Sequence, residues 1–165
     1  MYSCRFVSDP IGHECGLAMV RLKQPLHVIN ERFGDAAWGL RRLHLLMEKQ
    51  RNRGQDGAGI ATVKFDMPPG ESFFRRLRTT KRNALERIFD SATRDLEVLR
   101  RTPLDWENES QLKSRCEFLG EVYMGHLRYG THSGRGVANC HPLLRKDNTA
   151  SRNLAVAGNF NMTNS

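Results

Sequence analysis

The chain has 165 residues, of which 39% are hydrophobic and 27% charged, and its formal net charge is +8. That is enough for one domain with a packed core, and the apolar segments are too regular for a disordered protein. It holds no run of 18 or more apolar residues and opens on a polar stretch containing Asp9, Pro10, His13 and Glu14, which excludes a membrane-spanning helix and a secretory signal.

Residues 1–14 read as an irregular leader. Cys15–Leu22 alternates in apolar character, which predicts a buried strand, and Lys23-Gln24-Pro25 breaks it. Residues 36–50 place Ala37, Leu40, Leu43 and Met47 at helical spacing, predicting an amphipathic helix. A second strand is expected over 58–65, then a turn at Met67–Gly70, with Phe73-Phe74 on a short strand. Residues 81–101 predict a long charged helix whose buried stripe is Leu85, Ile88, Phe89, Ala92, Leu96 and Leu99, ended by Pro103. A polar connection over 105–115 leads to a third strand, Glu121–Tyr129, and a loop over 130–142. Asn153–Ala157 predicts a fourth strand and Gly158–Asn164 a turn. The expected class is α+β with a mostly antiparallel core.

Much of the positive charge falls between Arg75 and Arg101, mixed with Glu86, Asp90, Asp95 and Glu97. That pattern predicts a solvated helix face with internal ion pairs. Few aromatics interleave with the bases and no recognition motif is present, so no nucleic-acid partner is expected. Cys4, Cys15, Cys116 and Cys140 form no Cys-x-x-Cys pair, which leaves zinc-ribbon and thioredoxin-like readings without support. The thiols are expected to be reduced and the location cytoplasmic. No metal, cofactor or membrane partner is expected.

Four blocks carry the chemistry. Cys15-Gly16 opens the first apolar run. Arg53-Gly-Gln-Asp-Gly-Ala-Gly59, Gly125-His-Leu-Arg-Tyr-Gly-Thr-His-Ser-Gly134 and Gly158-Asn-Phe-Asn-Met-Thr-Asn164 follow in that order. Taken alone, a cysteine on an apolar strand reads as a buried inert thiol. Taken together, the four blocks resemble the class II glutamine amidotransferases, the family whose nucleophile is an N-terminal cysteine. Within it, Gln55-Asp56 and Tyr129 resemble the amidophosphoribosyltransferases. Thr131-His132 and the Asn139-Cys-His-Pro142 block resemble the hexosamine-forming branch. The resemblance covers residues 15–164, although 66–115 contribute little to it.

The resemblance implies the αββα sandwich of the N-terminal-nucleophile hydrolases. It implies hydrolysis of glutamine, with the ammonia passed to phosphoribosyl pyrophosphate for purine synthesis. Cys15 matches the nucleophile, whose own α-amine serves as general base. A free α-amine titrates near pH 7.7–8 and a thiol near 8.5, so the pair is matched at neutral pH. Arg128 matches the residue that holds the glutamine α-carboxylate, which a guanidinium fork does bidentately. Thr131 and His132 match residues lining the same pocket. Asn159 and the Phe160 N–H match the two donors to the tetrahedral oxyanion. The family block usually reads His-Asn-Gly-Asn, so Gly158 stands for His and Phe160 for Gly. A phenylalanine forced to positive φ would be strained. The 53–59 block is expected to shape the pocket rather than react.

While Glu14 is bonded to Cys15 the nucleophile's nitrogen is an amide and cannot act as a base. The expectation is therefore a propeptide, residues 1–14, removed at Glu14-Cys15. The family's acidic residue for the substrate α-amine and the phosphoribosyltransferase-type acceptor domain are both expected beyond Ser165, so the domain is read as cut short and its glutaminase activity as weak or nil. A homo-oligomer is expected. Two alternatives remain open: an acceptor such as fructose 6-phosphate, and a non-catalytic relative that keeps its leader.

Overall fold

The computed structural model describes residues 14–99, 108–130 and 136–160. Four strands form one antiparallel sheet: β1 (Gly16–Arg21), β2 (Gly57–Val63), β3 (Phe74–Thr79) and β4 (Val122–Arg128), in the spatial order β1-β4-β2-β3. A second antiparallel pair, β5 (Leu143–Arg145) and β6 (Leu154–Val156), lies downstream. The helices are α1 (Leu26–Phe33), α2 (Trp38–Lys49), α3 (Ala84–Leu99) and α4 (Glu109–Arg115). The class is mixed α and β with an antiparallel sheet.

One face of the sheet carries the core. Ala58, Ile60, Tyr123 and Leu127 point to it and are at most 2% exposed. α2 packs over β1 and β4 while α3 packs over β2 and β3. Ala37, Leu40, Leu43 and Met47 are buried as the spacing predicts, and so are Leu85, Ile88, Phe89, Ala92 and Leu96. The Leu99 side chain lies outside the described part of the chain. Gly125 admits α2 to this face, because a Cβ there would run into the Met47 side chain.

The other face holds the complementary residues of each strand. Its β1 positions, Leu17 and Met19, are exposed, whereas its β4 positions, His126 and Arg128, are buried. β1 is an edge strand. Gln50 covers part of that edge, accepting from the Leu17 N–H and donating to its carbonyl, both at 3.0 Å.

Four features depart from the sequence expectation. α1 was not foreseen: Lys23-Gln24-Pro25 does end the strand, but Pro25 is also the N-cap residue of a helix, and only Leu26 and Ile29 of its eight residues are buried, too few to show a period. The polar connection over 105–115 contains α4. It is fastened by Lys113, 2% exposed, whose ammonium donates to Glu121 at 2.8 Å and to the Phe65 carbonyl at 2.7 Å. β5 falls over Leu143–Arg145, a stretch the sequence reading assigned to no element. Finally, Arg75, Arg76 and Arg78 sit on β3, not on a solvated helix, because the chain turns through Asn83 before α3 begins.

Candidate active site

Cys15 immediately precedes β1. The pairing of Gly16 with Leu127 sets it beside Arg128, and Gly57 of β2 pairs with Arg128 from the other side. Cys15, Arg128 and Gly57 therefore form one row across three strands, although they are far apart in sequence. The Cys15 thiol is half-buried. It accepts from the Tyr129 N–H at 3.5 Å and lies 3.9 Å from the Tyr129 carbonyl. Sequence reasoning missed this donor, because a backbone amide leaves no residue-type signal.

The glycines of the 53–59 block have a steric reason. A Cβ on Gly57 would stand 2.7 Å from the Cys140 sulfur, and one on Gly59 would overlap the His141 carbonyl. The 140–142 segment, with its cis His141-Pro142 bond, thus lies directly on β2. Arg78 fastens it, donating to the carbonyls of Ala138 at 3.0 Å and Cys140 at 2.8 Å, while Arg76 reaches the Pro142 carbonyl at 3.4 Å. These two arginines therefore hold a loop over the sheet.

Asp56 closes the same end of the sheet. Its N–H donates to the Arg128 carbonyl at 3.0 Å and its carboxylate accepts from the Gly130 N–H at 2.8 Å. The turn after β4 is thus tied down on both sides of Tyr129. Arg53 pairs with Glu14 at 2.8 Å, next to the expected scissile bond.

Arg128 is only 4% exposed and its guanidinium lies against the Cys140 thiol. Burial pushes the Cys140 thiol up, and the charges of Arg128 and Arg78 pull it back. A carboxylate delivered to so buried a guanidinium would be held more firmly than at a surface arginine.

The Gly158–Phe160 segment reaches the same face through two histidines. His126 Nε2 stands 3.2 Å from the Gly158 carbonyl and His141 Nδ1 3.0 Å from it. His126 and Arg128 are two residues apart on β4, about 7 Å on the same face. The segment therefore arrives within one side chain's reach of the Cys15–Arg128 row. Asn159 and Phe160 are exposed. Phe160 is not among the described residues with positive φ, so the strain foreseen for a side chain at this position does not arise. Thr131 and His132 lie outside the described residues, as do 1–13 of the leader. No group of three or more His, Cys, Asp or Glu able to hold a metal occurs among the described residues.

His126 is pushed down to about 4, by burial first and then by His141 beside it, with the Gly158 carbonyl pulling upwards. His141 is lowered too, chiefly by burial. Between pH 6.5 and 4 the unfolded chain binds a proton at His126 that the folded chain refuses, so stability is lost as pH falls through that window. The loss should approach about 3 kcal/mol. Urea unfolding at pH 7 and at pH 4.5 measures it, and His126→Gln should flatten the dependence. An unchanged slope in the variant contradicts the assignment.

Among the described residues no helix is long and apolar enough to cross a membrane. No protein-family model, no curated protein and no solved structure matches the chain.

Proposed function

We propose that this chain is a glutaminase domain of the N-terminal-nucleophile type, with the αββα sandwich as its complete fold, and that it serves an amidophosphoribosyltransferase. The observation that carries the reading is the row of Cys15 and Arg128 at one end of the sheet, with an N–H on the sulfur and the Asn159 segment brought to the same face.

In this reading, removal of residues 1–14 frees the Cys15 α-amine. That amine takes the thiol proton, and the thiolate attacks the side-chain amide carbon of glutamine. The Asn159 amide and the Phe160 N–H stabilise the resulting oxyanion. Collapse breaks the C–N bond, and the protonated amine returns its proton to the departing ammonia. Water, deprotonated by the same amine, then cleaves the glutamyl thioester and restores the thiol. Arg128 holds the substrate α-carboxylate throughout.

Arg128→Lys tests the substrate assignment. Lysine keeps the charge but loses the bidentate fork. Half-saturating glutamine should rise by roughly 10–100-fold, since charge-assisted hydrogen bonds are worth about 1.5–3 kcal/mol. Glutamine hydrolysis with an unchanged half-saturating concentration would remove Arg128 from the site.

A further inference from the structure

We propose that His126 and His141 form a clamp on the Gly158 carbonyl, in opposite tautomers, and are positioning residues that set the orientation of Asn159 and the Phe160 N–H. The inference rests on the reading of those two groups as the oxyanion donors.

A carbonyl oxygen has two lone pairs, and here two imidazoles converge on it. Both rings are buried, His126 at 1% exposure and His141 at 6%, with centroids 4.6 Å apart. His126 meets the carbonyl with Nε2, so Nε2 carries its proton. Its Nδ1 is buried with no partner among the described residues, which suits a bare acceptor better than an N–H, since orphaned buried donors are the rarer case. His141 meets the carbonyl with Nδ1 at 3.0 Å and so carries its proton there. The Gly158 N–H is the longer contact to that nitrogen, at 3.3 Å.

The clamped oxygen belongs to the peptide plane that ends at the Asn159 nitrogen, so fixing it fixes the plane from which Asn159 departs. The far side of Asn159 is held as well. The Phe160 ring folds back onto His141, centroids 4.9 Å apart. A Cβ on residue 158 would stand 2.6 Å from that ring, so this ring placement goes with glycine at 158.

The test has two independent readouts on the chain whose first residue is Cys15. Nitrogen-15 NMR of labelled histidines at pH 7 should find the proton on Nε2 of His126 and on Nδ1 of His141; a shared tautomer overturns the clamp. In glutamine hydrolysis, His126→Leu and His141→Leu should each lower kcat about tenfold with KM unchanged, the loss of one hydrogen bond. His126→Gln and His141→Asn, which put a donor back near the lost N–H, should recover most of it. Equal loss in the conservative and leucine variants, or a loss confined to KM, overturns the positioning role. If the leucine variants do not fold, the Gln and Asn variants and the wild-type tautomers decide. A wild-type chain that never hydrolyses glutamine sinks the amidotransferase reading, while the tautomers still decide the clamp.

Discussion

A chain that begins at Cys15 should hydrolyse glutamine, even if weakly, and the same chain begun at Met1 should not. The difference follows from one nitrogen. Bonded to Glu14 it is an amide with no basic lone pair; released, it is an amine that titrates near pH 7.7–8 and is substantially unprotonated at neutral pH. Among the described residues the hydrogen-bond contacts of the Cys15 sulfur are the Tyr129 N–H and carbonyl, neither of them a base. The Tyr129 N–H cannot accept a proton, so in the proposed mechanism that task falls to the amine. Ammonia release from both chains, with Cys15→Ala as the blank, checks this. Equal rates would mean that a different group is the base or that Cys15 is not the nucleophile.

Asn159→Ala should lower turnover by about 10²–10³-fold and leave half-saturating glutamine nearly unchanged, as expected when one oxyanion donor is lost. In the proposed role the effect belongs to kcat, because the oxyanion charge develops only after attack. Asn159 is exposed, so the substitution opens no cavity, and the folded variant should melt within about 0.5 kcal/mol of wild type. A drop below about fivefold would remove Asn159 from the oxyanion hole, while a rise in KM alone would make it a substrate contact.

The elements that were legible in the sequence are those with a clean period. β1, β2 and β4 and the helices α2 and α3 sit within a few residues of their predicted bounds, because each buries a regular apolar set. α1 and α4 were not legible. α1 buries too few positions to show a stripe, and the buried residues of α4 are Leu112 and the charged Lys113, which pairs with Glu121, so no apolar period marks it. At the site, the resemblance pointed to Cys15, Arg128 and Asn159, but only the antiparallel register places Cys15 beside Arg128. The arginines of β3 were misread because charge density alone does not distinguish a solvated helix from guanidiniums bound to loop carbonyls. The convergence of His126 and His141 on one carbonyl is a tertiary fact with no local signature.

The central claim is that Cys15 is an armed N-terminal nucleophile. Its most direct measurement is the intact mass and first residue of the protein purified from its native source, followed by glutamine hydrolysis on that material. A first residue of Cys15, with ammonia released from glutamine, is the predicted result. A protein that begins at Met1 or Tyr2 and leaves glutamine intact would contradict it.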